Sequence, residues 1–247
     1  MANWLEGKIV DNRQWNERLF SLCFEAPLGE FKAGQFVRVA QEINGDVVAR
    51  PYSLVNTPGE EHLEIYFNVV PEGPLTPRLA QLKAGDRILV GDKPNGLLTI
   101  DEVPRVPYLW QFATGTGVGP FLSILKSAGA WRRFEKVVLG YSVRSADELS
   151  YRETIRQLQQ DYPDKFCFVP CVTRETFDGA FATRITDAIE TGALEARTGI
   201  ALDPDSCHVM LCGNSSMISD VRALLEGRGF RKHMRREPGH ITLEKYH

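Results

Sequence analysis

The hydrophobic pattern of the chain changes near residue 101, and this change limits the folds that are open to it. Before that point apolar and polar residues alternate, as at Leu63, Ile65, Phe67 and Val69, which is typical of half-buried strands. After that point short apolar runs alternate with segments that carry apolar residues at helical spacing. The sequence therefore predicts two domains, an antiparallel β domain followed by an α/β domain with a parallel sheet.

The first part of the chain predicts a small antiparallel barrel. Strand-like runs at 20–24, 35–40, 47–56, 63–69 and 87–91 are separated by turn-forming Gly, Pro and Asn. Six strands are about enough to close a small barrel. The segment 101–107 carries two prolines and no periodicity, so it is expected to be a linker. The expected domain bounds are 1–101 and 102–247.

In the second domain, apolar runs at 108–113, 137–143, 166–172 and 208–212 predict parallel strands. Each run is followed by apolar residues at helical spacing, which begin near Phe121, Tyr151, Ile185 and Ile218. Repeated strand–helix units of this kind form a parallel sheet with helices on both faces.

Composition excludes several classes of protein. Hydrophobic residues make up 43% and charged residues 25%, which rules out disorder as the main state. The net charge of −3 argues against a general nucleic-acid binder. Five cysteines without a C-x-x-C pair and five scattered histidines predict no disulfide framework, iron–sulfur cluster or other metal site.

No apolar run approaches the roughly 18 residues that span a bilayer. The N-terminus also lacks the basic and then apolar pattern of a leader, so we expect a cytoplasmic protein. No interface pattern is visible in the sequence, and a monomer is expected.

The segment Gly115-Thr116-Gly117-Val118-Gly119-Pro120 follows the first strand of the second domain. Glycines at this point let backbone amides approach a pyrophosphate at the start of a helix, and Pro120 suits the first helical turn. A tight glycine turn without a ligand is the alternative.

Three arginines follow the next strands, at Arg144, Arg174 and Arg184. An NAD site would usually carry an acidic residue after the second strand, whereas guanidinium groups suit the 2′-phosphate of NADP. An arginine taken alone is more often a solvated surface charge than a ligand. Their shared position at the carboxyl edge of the sheet favours NADP.

Two segments of the first domain also suit a nucleotide. Arg50-Pro51-Tyr52-Ser53 combines a cation, an aromatic ring and a hydroxyl, with Arg50 and Tyr52 on one face of an extended chain and Ser53 on the other. The segment 73–79 predicts a helix start with Thr76 as N-cap, whose free amides could bind a second pyrophosphate. Tyr52 as a packing residue and Thr76 as a purely structural cap are the alternatives.

These motifs, in this order and together with Cys212-Gly213-Asn214-Ser215-Ser216-Met217, resemble the ferredoxin–NADP reductase family, especially its bacterial ferredoxin/flavodoxin members. The resemblance covers essentially the whole chain. It implies an N-terminal barrel that holds FAD and a C-terminal domain that holds NADP(H). It also implies hydride transfer between nicotinamide C4 and flavin N5, with electrons exchanged one at a time with a small carrier.

The resemblance also implies roles for individual residues. Arg50 would contact the FAD phosphates, Tyr52 would stack on the isoalloxazine, and Ser53 would lie near flavin N5. Tyr66, on the polar face of its strand, resembles a second flavin-site tyrosine. The remaining FAD residues would be Pro51, Pro74, Leu75, Thr76, Thr116 and the C-terminal Tyr246 or His247.

On the NADP side, the implied residues are Val143, Arg144, Thr173, Arg174, Arg184, Asn214, Ser215, Ser216 and Asp220. Ser53, Cys212 and Glu244 would be the catalytic residues, tuning geometry and hydrogen bonding rather than acting as strong acids or bases. A small buried residue at a strand end is the alternative reading of Cys212.

Two positions depart from the family pattern. Ser215 stands where the family often has Pro, and a serine there can cap the following helix. The chain ends in Tyr246 and His247, either of which could supply the aromatic ring that the bacterial relatives place over the flavin.

Residues 228–247 form a basic segment with six basic and two acidic side chains. Ferredoxins and flavodoxins are acidic, so this segment could steer their approach, although a solvated basic tail is an equal alternative. Other functional alternatives are an NADPH-dependent reductase of free flavin, ferric chelates or an oxygenase component, a flavin-binding module without turnover, and a subunit of a larger enzyme.

Overall fold

A computed structural model describes residues 3–246 and contains two sheets. The first sheet has six antiparallel strands in the order β4-β3-β6-β1-β2-β5, as predicted. A bridge between Leu54 and Ile65 joins its two outer strands, which closes the barrel. Its elements are β1 (Trp4–Gln14), β2 (Leu19–Glu25), β3 (Phe36–Ile43), β4 (Asp46–Ser53), β5 (Leu63–Asn68), the short helix α1 (Thr76–Leu79) and β6 (Arg87–Gly91).

The strand β1 lies in the middle of this sheet, yet the strand-like runs in the sequence do not include it. Ile9 is its one fully buried residue, and the register with β2 shifts between Ile9 and Asp11. A strand with a bulge and polar residues on both faces has no clear two-residue period. The hydrophobic pattern could not locate β1 for this reason.

The strand β2 is buried on both faces. Leu22 and Phe24 point into the barrel core, but Ser21, expected on the polar face, is also buried. Its hydroxyl accepts a hydrogen bond from Trp15 Nε1 (2.6 Å) and contacts the hydroxyl of Tyr151 in the second domain. The polar face of β2 is therefore covered by the other domain.

The second sheet has five parallel strands in the order β11-β10-β7-β8-β9. One face packs on a core shared with α2, α3 and α4, and the other on a core shared with α5, α6 and α7, as predicted. The elements are β7 (Tyr108–Thr114), α2 (Gly119–Lys126), α3 (Ala128–Arg133), β8 (Lys136–Val143), α4 (Arg152–Asp161), β9 (Phe166–Val172), α5 (Ile185–Glu190), α6 (Ala193–Thr198), β10 (Cys207–Asn214), α7 (Ser215–Gly227) and β11 (Ile241–Tyr246).

The strand β11 is not among the strands predicted from the sequence. Its six residues pair in parallel with β10 at the edge of the sheet. The sequence Ile241–Tyr246 carries both Glu and Lys, so it lacks the continuous apolar run of a central parallel strand. An edge position tolerates such polarity because part of the strand faces away from the core.

The two domains share one continuous core. Leu19, Val55, Tyr66 and Leu98 of the first domain pack in the same cluster as Phe121 and other residues of α2. Between residues 3 and 246, no helix is long and apolar enough to cross a membrane. The shared core fixes the barrel against one face of the parallel sheet.

Candidate functional site

The candidate site begins at the carboxyl edge of the parallel sheet, between β7 and β10. The connections after these neighbouring strands lead to opposite faces of the sheet, to α2 and to α7, which makes this edge a topological switch point. In open α/β sheets, ligands bind in the crevice outside such a point.

Two glycines let the loops at this edge approach one another closely. A Cβ on Gly117 would lie 2.4 Å from the carbonyl oxygen of Cys212, and one on Gly213, whose φ is +129°, would lie 2.2 Å from Thr114 Oγ1. The backbone amide of Asn214 donates to the same Thr114 hydroxyl (2.8 Å). The glycines therefore allow close contact between the two loops, and α2 starts at Gly119 with Pro120 in its first turn, as the sequence predicted.

A cavity of about 1070 Å³ opens at this edge. This volume is at the upper end of typical ligand pockets, large enough for a dinucleotide. The cavity is lined by many of the predicted nucleotide residues, namely Thr116, Val143, Arg144, Thr173, Arg184, Asn214, Ser216, Asp220 and Tyr246.

The three predicted arginines lie close together but differ in their partners. Arg144 and Arg184 line the cavity, and the amide of Arg174 donates to the carbonyl of Arg144 (2.8 Å). Arg144 Nη2 lies 2.8 Å from Glu148 Oε1. Among residues 3–246, neither Arg174 nor Arg184 forms an ion pair with a carboxylate. Exposed guanidinium groups without a carboxylate partner suit a phosphate ligand.

The helix α7 starts with a cap that differs from the expected one. Asn214 is the N-cap, and its Oδ1 accepts from the amides of Ser216 (2.8 Å) and Met217 (3.4 Å). Ser215, expected to cap this helix, is its first residue and donates to the carbonyl of Tyr246 (3.3 Å). Asn214 still has the extended backbone that an N-cap requires, so the cap lies one residue earlier.

Four side chains meet where the barrel touches the parallel sheet. Tyr246 donates its hydroxyl proton to Ser53 Oγ (2.5 Å), and Ser53 donates to Glu244 Oε1 (3.0 Å). Cys212 is fully buried, lies opposite Glu244 in the pairing of β10 with β11, and interacts with Tyr246. The fold thus brings together Ser53, Cys212 and Glu244, the three predicted catalytic residues.

Burial controls the protonation of this cluster. Burial raises the pKa of Glu244 to about 7, although the hydrogen bond from Ser53 opposes this shift. Burial also raises the pKa of the Cys212 thiol and of the Tyr246 phenol well above their ordinary values. Cys212 and Tyr246 therefore keep their protons at neutral pH, whereas Glu244 exchanges its proton near neutrality.

The segment Arg50-Pro51-Tyr52-Ser53 places its groups as predicted for an extended chain. Arg50 and Pro51 are exposed at the end of β4, and Tyr52 packs edge-on against Phe67 with 6.1 Å between ring centroids. Ser53 points the other way and is buried. Arg50 Nη1 donates to the carbonyl of Ala49 (2.8 Å), and no carboxylate within the described part of the chain pairs with it.

The expectation that Thr76 caps a helix is wrong. Thr76 is the first residue of α1, Leu75 occupies the cap position, and no side chain caps the helix. Thr76 Oγ1 instead accepts from the amide of Val70 (2.9 Å), which ties the loop to the end of β5. Leu75 is buried in the barrel and Pro74 is exposed.

Tyr66 is buried between the domains rather than on a polar face. Its hydroxyl donates to Ser150 Oγ (2.8 Å), and its ring lies edge-on to Tyr151, 5.2 Å between centroids. Tyr151 donates to Glu64 Oε1 (2.6 Å) and contacts Ser21. The sequence analysis missed these contacts because no local pattern relates residues 21 and 64 to residues 150 and 151. His247 lies outside the described residues.

The residues present fit FAD and NADP(H). Arg50 offers an unpaired cation for phosphates beside the Tyr52 ring, and Ser53 offers a buried hydroxyl. The glycine-rich edge offers a cradle that a side chain would fill, next to Arg144 and Arg184. This donor set matches a flavin nucleotide on one side of the domain boundary and a 2′-phosphorylated nucleotide on the other.

Comparison with known proteins agrees with this fit. Residues 10–97 match the oxidoreductase FAD-binding domain family, and residues 112–223 match the oxidoreductase NAD-binding domain family. A crystal structure of a ferredoxin NADP+ reductase from Neisseria gonorrhoeae with bound FAD and NADP superposes with a TM-score of 0.94. It is 30% identical and covers 99% of both chains.

Full-length relatives carry related names. The flavodoxin/ferredoxin–NADP reductase of Escherichia coli (strain K12) is 44% identical over 247 residues, covering 100% of both chains. The ferredoxin–NADP reductase of Pseudomonas aeruginosa is 35% identical and covers 99% of this chain and 98% of its own. The resemblance drawn from the motifs is confirmed: the chain belongs to the flavodoxin/ferredoxin–NADP reductase family.

Proposed function

We propose that this protein exchanges electrons between NADPH and a one-electron carrier, ferredoxin or flavodoxin, with FAD bound by residues 1–101 and NADP(H) by residues 102–247. One observation carries the proposal. The hydrogen bonds from Tyr246 to Ser53 and from Ser53 to Glu244 join the barrel to the edge of the nucleotide cavity. The two proposed nucleotide-binding regions therefore meet at one partly buried cluster of hydroxyl, carboxyl and thiol groups.

When bound, the cofactors supply the chemistry, which is hydride transfer between nicotinamide C4 and flavin N5. The side chains position and shield rather than act as strong acids or bases. Ser53 Oγ is held in one orientation, because it accepts from Tyr246 and donates to Glu244. Cys212 and Tyr246 stay protonated, and Cys212 is fully buried.

We assign the binding residues from the family motifs, and most of those on the NADP side line the cavity. On the NADP side, Arg144, Arg174 and Arg184 hold the 2′-phosphate together with Val143 and Thr173, and α7 and its cap contribute Asn214, Ser215, Ser216 and Asp220. The FAD residues are Arg50, Pro51, Tyr52, Ser53, Tyr66, Pro74, Leu75, Thr76, Thr116 and Tyr246.

The basic segment 228–247 is proposed as the surface that receives the acidic carrier. Arg228 does not take part, because it is held by Glu195 Oε2 (2.8 Å) and by the carbonyl of Ile189 (2.6 Å). Arg235 is 3.8 Å from Glu102 but 72% exposed. Lys232 and Arg236 have no carboxylate partner within residues 3–246, and the exposed Met234 lies between them. Exposed cations around an apolar side chain suit an acidic partner.

The proposed function is tested by an anaerobic visible spectrum of the purified protein, titrated separately with NADPH and with NADH. We expect a yellow protein whose flavin absorbance is bleached far more readily by NADPH. A protein that takes up no FAD, or whose flavin absorbance is changed by neither nucleotide, would contradict the proposal.

The carrier surface is tested by reversing charges. Lys232→Glu and Arg236→Glu should raise the KM for ferredoxin or flavodoxin and weaken its salt dependence, with no change in the bleaching rate by NADPH. Arg156→Glu, which reverses an exposed arginine on α4, is the matched control. Activity toward free flavin or ferric chelates without activity toward either carrier would instead identify a reductase of small acceptors.

We further propose a cytoplasmic monomer. All five cysteines are free thiols, which suits a reducing compartment. Size-exclusion chromatography with light scattering measures the mass directly, and a dimer mass would contradict the monomer.

A further inference from the structure

We propose that Glu148 is a positioning residue that orients Arg144 toward the 2′-phosphate and thereby sets the preference for NADPH over NADH. The inference rests on the proposed function, since it concerns the same nucleotide cavity. A carboxylate beside a phosphate site is unexpected, because the two negative charges repel each other.

Glu148 holds Arg144 at two places. Its Oε1 accepts from the guanidinium, at 3.0 Å from Nε and 2.8 Å from Nη2. Its Oε2 accepts from the backbone amide of the same arginine at 3.0 Å. One carboxylate therefore restrains both the base and the tip of the Arg144 side chain.

Glu148 is much less exposed than the Arg144 side chain that it holds. The Glu148 side chain is 17% exposed, whereas that of Arg144 is 52% exposed, and both line the cavity. Glu148 is itself fixed, because its carbonyl oxygen accepts from the hydroxyl of the fully buried Tyr141 (3.2 Å). The carboxylate occupies the Nε–Nη2 side of the guanidinium, and Nη1 has no hydrogen-bond partner among residues 3–246.

The segment around Glu148 is held by further side chains. Glu175 accepts from the amide of Ala146, and Asp147 accepts from Ser145 Oγ (2.6 Å) and from Asn16 Nδ2 (3.1 Å) of the first domain. The loop that carries the Arg144–Glu148 pair is therefore tied to the loop after β9 and to the first domain. Such a loop presents its arginine in a defined position.

Two effects of Glu148 on a phosphate oppose each other. Its negative charge repels the ligand, but its hydrogen bonds remove rotamer freedom that Arg144 would otherwise lose on binding. The structure favours the second effect, because the carboxylate is already neutralised by Arg144 and largely covered, while Arg184 adds an unpaired cation to the same cavity. We therefore expect Glu148 to strengthen recognition of the 2′-phosphate.

The test measures binding of 2′,5′-ADP and of 5′-ADP to the purified FAD-containing protein by calorimetry, without turnover. Glu148→Ala should weaken 2′,5′-ADP roughly 3- to 10-fold and leave 5′-ADP unchanged. Glu148→Gln should weaken binding less than Glu148→Ala, because the glutamine side chain keeps one oxygen that can accept from Arg144. Glu153→Gln, which breaks the exposed pair with Arg156 on α4, is the matched control and should change neither affinity.

A double-mutant cycle tests whether Glu148 acts through Arg144. Without Arg144 the only effect left to Glu148 is the repulsion by its charge, so Arg144→Ala with Glu148→Ala should bind 2′,5′-ADP at least as tightly as Arg144→Ala alone. Tighter or unchanged 2′,5′-ADP binding in Glu148→Ala would overturn the inference, as would equal weakening of both ligands. If Glu148→Ala unfolds at a lower temperature, Glu148→Gln carries the test. Wild-type protein that does not prefer 2′,5′-ADP would overturn the proposed function itself, and the inference with it.

Discussion

The buried cluster of Ser53, Glu244 and Tyr246 and the arginine edge of the nucleotide cavity hold their polar groups in different ways. In the cluster, residues of both domains satisfy one another by partly buried hydrogen bonds. At the edge, Arg174 and Arg184 are exposed, and neither has a carboxylate partner within residues 3–246. The cluster is therefore sensitive to geometry and pH, whereas the edge is sensitive to ligand charge and salt.

The largest expected effect comes from removing the central hydroxyl of the cluster. Ser53→Ala deletes the group that accepts from Tyr246 and donates to Glu244, and leaves both partners without their contact. We expect the rate of flavin reduction by NADPH, measured by anaerobic stopped flow, to fall about 100-fold. The affinity for 2′,5′-ADP should not change, and Ser53→Thr, which keeps a hydroxyl, should retain part of the rate. An unchanged rate would contradict the positioning role of the Ser53 hydroxyl.

Glu244 should make the stability of the cofactor-free protein depend on pH. Its pKa in the folded protein, about 7, lies above its ordinary value of 4.5, so the folded state holds the proton more tightly than the unfolded state. Stability should therefore fall as the pH rises from about 4.5 to about 7, by up to about 3 kcal/mol. Urea unfolding of wild type and Glu244→Gln measures this difference. Parallel pH profiles for the two proteins would contradict it.

At the arginine edge, the expected effect is on ligand choice rather than on stability. Arg184→Ala should reduce the preference for NADPH over NADH roughly 10-fold, because a charge-assisted contact to the phosphate is lost. The loss should shrink at high salt, as screening weakens the wild-type contact. Steady-state kcat/KM for both nucleotides at two salt concentrations measures this, with Arg156→Ala as control. An equal loss of kcat/KM for NADH would show that Arg184 does not contact the 2′-phosphate.

The smallest effect concerns the other buried contact between the domains. Tyr151→Phe removes a hydroxyl that donates to Glu64 (2.6 Å) and contacts Ser21, and should lower the free energy of unfolding by about 1–2 kcal/mol. Tyr162→Phe is the matched control, since the Tyr162 ring stacks on Trp131 and its hydroxyl bonds to no residue in the described part of the chain. Equal losses in the two variants would show that the loss does not come from the contacts of the Tyr151 hydroxyl with Glu64 and Ser21.

Much of the fold and of the candidate site followed from local patterns. The glycine-rich segment, the positions of Arg144 and Arg184, and the opposite orientation of Tyr52 and Ser53 all agree with the expectations. These features depend on neighbouring residues or on the rule that parallel strands end at one edge of a sheet, so they can be deduced before the tertiary structure is known.

Other features could not be deduced in this way. The bulged strand β1 and the polar edge strand β11 lack the usual periods, and Asn214 rather than Ser215 caps α7. Thr76 was expected to cap a helix, but a contact with Val70 engages its hydroxyl. Each case depends on where a partner lies in space, which a local pattern does not record.

The sequence by itself determined the two-domain architecture, the family and the chemical types of the nucleotide-binding residues, because periodicity and short motifs are local properties of the chain. Only the tertiary structure decided that Ser53, Cys212, Glu244 and Tyr246 form one cluster and that Glu148 holds Arg144. Ser53 and Tyr246 are far apart in the chain, and burial in a shared core brings them within hydrogen-bond distance and shifts the pKa of Glu244.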